Sequence, residues 1–428
     1  MNWLKKRDLK TLPIYLFLLA FIFLPVVFTK PPNTDTQTAP VANMTSTGYV
    51  IVAWNNLGMH CYDSDYSDFA VLPPYNTLLA QVIRVGDPPQ IVTDGVQVSY
   101  AFPDNTYSAG QRGRPDKTNF WTYAQELFGL SQPLPVNIGL TGKGLSGTMD
   151  PNGDYFIAEG IPLTDIRDQD AVNQKRYPFQ MAHLTASDVQ INNPSHKILA
   201  TLDVVAPTSS EFSCFNCHCD DCDATTAYPI TPTGGVKTNI LTLHDYLNQG
   251  DLMNQRPVLC ADCHASAALG KPGIPGVKSL SNAMHTHHKD LMDIKPDTTE
   301  GCYNCHPGPV TQCLRDTMSQ HFALNCTNCH GNMEAVGQNP QPWLQEPQCS
   351  NSGCHGSGYS TGGALYQSSR GHGGLYCSAC HDSPHAYAPS REPNDGIKFL
   401  ELQGELGTLR KCTVCHLTQP DQMFKHSY

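Results

Sequence analysis

Cysteine and histidine recur in one fixed pattern in the second half of this 428-residue sequence. The pattern is Cys-x-x-Cys-His, and the stretch from Cys302 to His330 holds two copies with another histidine, His321, between them. In such a motif the two thiols can add to the vinyl groups of a porphyrin, and the adjoining histidine can bind its iron. The spacing therefore predicts covalent attachment of c-type haem.

The number of copies makes this prediction specific. A single Cys-x-x-Cys pair also occurs in zinc ribbons and in thiol redox sites, but this chain has six copies of the longer motif. A seventh motif has four residues between its thiols, which is a wider variant of the same attachment site. The predicted thioether cysteines are Cys214, Cys217, Cys260, Cys263, Cys302, Cys305, Cys326, Cys329, Cys349, Cys354, Cys377, Cys380, Cys412 and Cys415. The predicted proximal iron ligands are His218, His264, His306, His330, His355, His381 and His416.

Each iron would usually take a second ligand, and the same region has eight further histidines from which to supply seven. Short offsets from a motif favour donation to a neighbouring haem. In the sequence MHTHHK, two histidines three residues apart are favoured because they lie on one helical face. Met292, Met318 and Met333 are alternative ligands but more often serve packing. The distal candidates are His244, His285, His288, His321, His372, His385 and His426, with His60 added from a polar loop in the first half of the chain.

Charge and composition narrow the function classes. The formal net charge is −11 and no strong basic patch is present, so nucleic acid is not an expected partner. Charged residues make up 15% of the chain, while 34 glycines and 33 prolines favour loops and short elements.

The N-terminus predicts export. Lys5, Lys6 and Arg7 precede an apolar run over residues 12–28, as in a signal peptide or a short membrane anchor. Residues 1–29 are therefore interpreted as a signal or anchor segment, and residues 30–47 as a polar linker. Export fits c-type haem, which is attached outside the cytoplasm, and it predicts a periplasmic or extracellular location. Whether the segment is cleaved stays open.

Residues 48–207 contain no haem motif and are predicted to form a β-rich domain, of sandwich type, with a structural or docking role. One helix is expected near Asn119–Leu127. Asp63, Asp65 and Asp68 lack the glycine and glutamate of an EF-hand, so a solvated acidic turn is expected there. The predicted strand runs are residues 49–54, 77–85, 95–102, 136–140, 155–161 and 196–206.

Residues 208–428 are predicted to be the haem region, with short helices, loops and little regular structure. Too few residues accompany each motif to build seven side-chain cores, so folding should depend on haem. Four cysteines are left over. Cys219 and Cys222 are expected to form a local disulfide in an oxidising compartment, and Cys61 is a candidate to pair with Cys313.

The seven motifs, together with phrases such as CSACHDSPH at residues 377–385, resemble multihaem c-type cytochromes that serve metal-reducing and syntrophic bacteria as electron conduits. The resemblance covers residues 211–428. It implies bis-histidine ligation, low potentials and closely spaced haems, with other redox proteins or copies of the same chain as partners. Some relatives form extracellular filaments in which one subunit lends a distal histidine to the next. The β-rich domain departs from the compact members of this group.

The expected function is electron transfer through seven haems, without catalytic residues. The main alternative is a terminal reductase of a nitrogen or sulfur oxyanion, which keeps one iron open and often replaces the proximal histidine with lysine. No Cys-x-x-Cys-Lys occurs in the sequence. A zinc-ribbon binding module is a third interpretation, but zinc gives no reason for histidine to follow every cysteine pair.

Overall fold

The structure is a computed structural model that describes residues 47–111, 113–189, 197–291, 295–341, 349–359, 361 and 364–421. The predicted signal or anchor segment, almost all of the linker, and His426 lie outside these residues. Among the described helices, none combines the length and apolar character needed to cross a membrane.

The first half of the described chain is rich in β-strands, as predicted. One five-stranded sheet has the order β1-β4-β9-β8, with β5 also pairing to β4. A second has the order β2-β11-β10-β6-β7, and β12 pairs with β3 in a small parallel sheet. The strands are β1 (Tyr49–Asn55), β2 (His60–Cys61), β3 (Phe69–Ala70), β4 (Asn76–Arg84), β5 (Gln90–Val92), β6 (Val96–Ala101), β7 (Ser146–Thr148), β8 (Asp150–Asn152), β9 (Tyr155–Ile161), β10 (Phe179–Asp188), β11 (Ile198–Ser209) and β12 (Val258–Leu259).

One apolar core joins the two large sheets and continues into the second half of the chain. β4 is buried along nearly its whole length, because β1 and β9 pair with its two edges and its apolar side chains pack on both faces. β1 packs against β11 of the other sheet. The core also takes in Tyr376, whose ring lies 5.2 Å from that of Trp54 between centroids. Burial of such aromatic side chains contributes a large part of the free energy that stabilises this core.

The second half consists of short helices and loops, also as predicted. Several helices begin at a motif cysteine or end at a motif histidine. The helices are α1 (Phe120–Phe128), α2 (Phe215–His218), α3 (Asp223–Thr226), α4 (Val236–Asn248), α5 (Cys260–Cys263), α6 (Leu280–His288), α7 (Thr299–Cys302), α8 (Thr317–Phe322), α9 (Cys326–His330), α10 (Met333–Gln338), α11 (Cys377–His381) and α12 (Pro393–Gln403).

Most strand predictions are confirmed, and one is wrong. Five of the six predicted runs contain a strand, and the helix expected near Asn119–Leu127 is α1. The run at 136–140 is not a strand, because Asn137 has a φ of 64° and its side chain caps a loop instead. The Asn137 Oδ1 accepts backbone N–H bonds from Ser108 and Ala109, each at 2.7 Å. β10 was not among the predicted runs.

The prediction of a solvated acidic turn is wrong for Asp63. This carboxylate is only 4% exposed and accepts backbone N–H bonds from Val71 and Leu72 at 2.8 and 2.9 Å. The ammonium of Lys237, from α4, lies 3.0 Å from the Asp63 Oδ1 and also donates to the Phe69 carbonyl. A side chain from the second half of the chain therefore neutralises the buried charge.

The junction between the two halves is built on a second buried ion pair. Arg315 donates to Asp395 of α12 through Nε at 2.7 Å and Nη2 at 3.0 Å, and both side chains are 1% exposed. The Arg315 Nη1 donates to the carbonyl of Gly58 at 2.9 Å. Gly58 has a φ of 73° and lies so close to the Pro384 carbonyl that a side chain would not fit. The junction thus fixes a loop of the β-rich region against the segment after α11.

Replacing Arg315 with methionine should lower the free energy of unfolding by about 3–5 kcal/mol, because it leaves the Asp395 carboxylate buried and unpaired. Urea unfolding of the purified full chain would measure the change. Arg410→Met is the matched control, since its pair with Glu405 is exposed, and it should leave the midpoint unchanged. Equal midpoints for the two variants would contradict the role of the junction.

Candidate haem-ligand sites

Five motif histidines each face a second histidine at nearly the same distance. The second histidine always comes from the predicted distal set, and the two rings of a pair belong to different local segments. The distances between ring centroids are 6.5 Å for His218–His288, 6.3 Å for His264–His244, 6.1 Å for His306–His285, 6.1 Å for His330–His385 and 6.1 Å for His416–His372.

This spacing fits two imidazoles that bind one metal from opposite sides. Metal–imidazole bonds of about 2.0–2.1 Å place the centroids of such rings about 6.2–6.4 Å apart. Imidazoles in direct contact lie closer, as His287 and His288 do at 5.1 Å. The five pairs therefore leave a gap the size of one iron, and the residues fit the haem that the motifs imply.

Local hydrogen bonds orient several of these rings. Ser279 caps the N-terminus of α6, where its side chain accepts the N–H of Asn282, and α6 carries His285 and His288 on one face. The Nδ1 atoms of His285 and His288 lie 2.8 and 2.7 Å from the carbonyl oxygens four residues earlier. With the proton assigned to Nδ1, Nε2 is left to bind a metal. His264 is held in the same way by the Lys278 carbonyl at 2.7 Å.

Burial favours the neutral form of several of the paired imidazoles. Burial, followed by the charges of nearby histidines, lowers the pKa of His218 to about 4. The same causes lower the pKa values of His306 and His385 to about 4. Neutral imidazole is the form that binds metals, so these side chains are ready to act as ligands at neutral pH.

Three paired histidines also have a buried nitrogen with no hydrogen-bond partner. These are the Nδ1 atoms of His218, His244 and His385. An unpartnered buried polar group costs about 1–3 kcal/mol, so its presence in a native site points to a missing group. A bound porphyrin with its propionates and ordered water is consistent with this.

The other predicted ligands lie outside the five pairs. His355 is exposed, and its ring centroid lies 5.3 Å from that of Tyr359. His321 is exposed in the last turn of α8. His381 ends α11, and its carbonyl accepts the N–H of Ala388 at 2.9 Å. His426, the remaining distal candidate of this region, lies outside the described residues.

His60 is buried in the β-rich region and is not brought to a motif histidine in the part of the chain that the structure describes. Its Nε2 lies 2.8 Å from the Asn56 Oδ1, and its ring stacks with Tyr75 at 6.2 Å between centroids. These contacts make His60 part of the packing beside β2.

One contributor to a site had no signal in the sequence. Asp87, in the loop between β4 and β5, lies 3.1 Å from the Nδ1 of His416 and accepts the N–H of Thr418 at 3.0 Å. A carboxylate that accepts from the second nitrogen of a ligand histidine fixes the ring and makes it a stronger ligand. Asp87 is far from His416 in the sequence, so only the fold brings the two together.

The four cysteines outside the haem motifs form two predicted pairs, and only one pair is bonded in the structure. Cys219 and Cys222 form a disulfide with their Cα atoms 4.9 Å apart, which confirms the predicted local bridge. Cys61 and Cys313 are free thiols in the structure. Burial, followed by the charge of Cys313, raises the pKa of Cys61. Their disulfide stays a prediction.

No protein-family model, curated protein or solved structure matches this chain. Within the residues that the structure describes, no group of three or more His, Cys, Asp or Glu side chains converges as a metal site. The arrangement that recurs is a pair of facing imidazoles beside a cysteine motif.

The acid stability of the chain should depend on His60. Burial lowers the pKa of His60 from 6.5 to about 3, so between these values the unfolded chain binds a proton that the folded chain does not. Stability is therefore lost as the pH falls from 6.5 towards 3. His60→Gln keeps an N–H to donate to Asn56 and should lose less stability over this window, as measured by urea midpoints.

The urea midpoint of the wild-type chain above pH 6.5 is the reference value for both proteins. If the urea midpoints of the two proteins fall in parallel as the pH is lowered, His60 does not cause the loss of stability. A changed haem absorption spectrum in His60→Gln would instead indicate that His60 is an iron ligand.

Proposed function

We propose that this chain is an exported multihaem c-type cytochrome that carries electrons through seven covalently attached haems. The observation that supports this best is the set of five facing histidine pairs, each with one ring from a Cys-x-x-Cys-His motif and ring spacings of 6.1–6.5 Å. Each haem, when bound, supplies an iron that takes up and releases one electron.

The residues of the chain hold and tune these groups. Motif cysteines would tie each porphyrin to a short helix such as α9 or α11, and the paired imidazoles would bind the iron. Carbonyl oxygens and Asp87 orient the rings, which raises their strength as ligands. Burial of histidines such as His306 and His385 excludes water and shapes the iron potentials. No substrate chemistry and no catalytic residue are needed.

The same proposal includes the fold and the setting. The two large sheets are proposed to form a β-sandwich, and residues 208–428 a multihaem cytochrome fold that depends on haem. The location is periplasmic or extracellular, with residues 12–28 as a signal peptide or anchor. Electron partners are other redox proteins or copies of this chain in a filament.

A terminal reductase is the alternative, because one site differs from the rest. His355 belongs to the motif with the wider cysteine spacing and is exposed, and its ring contacts that of Tyr359. An iron bound there with one open face could take a nitrogen or sulfur oxyanion. This alternative requires a high-spin centre in the oxidised protein.

The purified full chain should contain seven haems, all low-spin when oxidised. Intact mass and pyridine haemochrome absorbance would give the number, and electron paramagnetic resonance the spin states. Fewer than seven haems would refute the proposal as stated, and one high-spin centre in the native protein would favour the reductase.

His385→Ala should convert one of the seven haems to a high-spin form, because it removes the ring that faces His330. His183→Ala is the matched control, since His183 is an exposed residue of β10 that pairs with Asp203. It should leave all spin states unchanged. A purely low-spin spectrum for His385→Ala would contradict the assigned pair.

A further inference from the structure

The haem motifs do not contact one another in their order along the chain. We number them 1 to 7 from Cys214 to Cys412. Motif 1 touches motif 3: Asn216, between the cysteines of motif 1, donates to the Oδ1 of Asn304, between those of motif 3, at 3.3 Å. Burial raises the pKa of Cys305 in motif 3 to about 11, and both cysteines of motif 1 contribute to the shift.

A single helix supplies the second histidines of motifs 1 and 3. On α6, His288 faces His218 of motif 1 and His285 faces His306 of motif 3. Residues three apart on a helix have Cβ atoms about 5–6 Å apart. The two sites are therefore direct neighbours.

Motif 2 lies on the other side of motif 1. Its His264 faces His244 of α4, and α4 packs against α2, the helix of motif 1. The side-chain amide of Asn239, also on α4, donates to the His218 carbonyl at 3.0 Å. The chain therefore passes from motif 1 to motif 2 and then comes back to motif 1 at α6.

Motif 3 continues directly into motif 4. α7, which ends at Cys302 of motif 3, packs against α9, the helix of motif 4. The attachment points of these two haems are therefore adjacent.

Motifs 4, 6 and 7 are connected by short segments. His385 faces His330 of motif 4 and follows His381 of motif 6 by four residues. Between motifs 6 and 7, the N–H of Leu409 donates to the Cys380 carbonyl at 2.9 Å. His372, just before motif 6, faces His416 of motif 7.

We propose that six of the seven motifs form one row in the order 2–1–3–4–6–7, with the motif of Cys260–His264 at one end and that of Cys412–His416 at the other. This inference rests on the proposed function and adds the path. Electrons then enter and leave at motifs 2 and 7, and redox partners must approach these two ends. The β-rich region contacts both ends, through β3 with β12 and through Asp87 with His416.

Removing one haem at a time distinguishes this row from a row in chain order. The variants are Cys260→Ser/Cys263→Ser, which removes the haem of motif 2, and Cys214→Ser/Cys217→Ser, which removes that of motif 1. An end haem of a row has one neighbour and an inner haem has two, so loss of an end haem removes one contact and loss of an inner haem removes two. Exciton coupling in the Soret circular dichroism of the full chain reports these contacts.

The expected result is that the motif 2 variant loses less of the coupling than the motif 1 variant, because it removes one contact whereas the motif 1 variant removes two. The reverse ranking would overturn the proposed order, because in chain order motif 1 is the end. Equal losses would also overturn it. Haem counts keep the two proposals apart: seven haems in the wild type with the wrong ranking leave the cytochrome assignment intact.

If either variant fails to mature, the wild-type protein decides. An experimental structure of the haem-loaded chain should show the iron of motif 1 with motifs 2 and 3 as its nearest neighbours. An iron of motif 2 between those of motifs 1 and 3 would refute the order.

Discussion

The buried guanidinium of Arg315 connects three parts of the chain on which the ligand geometry depends. It pairs with Asp395 of α12 and donates to the Gly58 carbonyl of the β-rich region. The backbone N–H of Arg315 also donates to the carbonyl of His385 at 3.0 Å. A buried ion pair is costly to desolvate, and bidentate geometry with further hydrogen bonds is what offsets that cost. The ion pair thereby fixes one arrangement of these three segments, in which the ring of His385 faces that of His330.

The features that the sequence predicts well are the local ones. A Cys-x-x-Cys-His motif and a run such as YVIVAW carry their information within a few residues, so the motifs and β1 could be recognised directly. β10 could not, because its sequence FQMAHLTASD mixes small and polar residues and is stabilised by pairing with β6 and β11. The burial of Asp63 was missed for the same reason, since Lys237 reaches it from a distant segment.

The pairing of the histidines likewise depends partly on local sequence and partly on contacts between distant segments. The offsets of His372 and His385 from motif 6 suggested donation to a different site, but they could not identify that site. The structure places His372 opposite His416 and His385 opposite His330. Those partners follow from helix packing and from the junction with the β-rich region, which depend on contacts between residues far apart in the chain.

Lys237 has a consequence for how the protein meets its surroundings. Its ammonium occupies the place between Asp63, the Asp65 carbonyl and the Phe69 carbonyl, a set of oxygens of the kind that holds calcium in other proteins. The chain thus brings its own counter-ion to this position on a covalent tether. The charge of Asp63 is therefore balanced from within the chain, and this balance does not call for a dissolved metal ion.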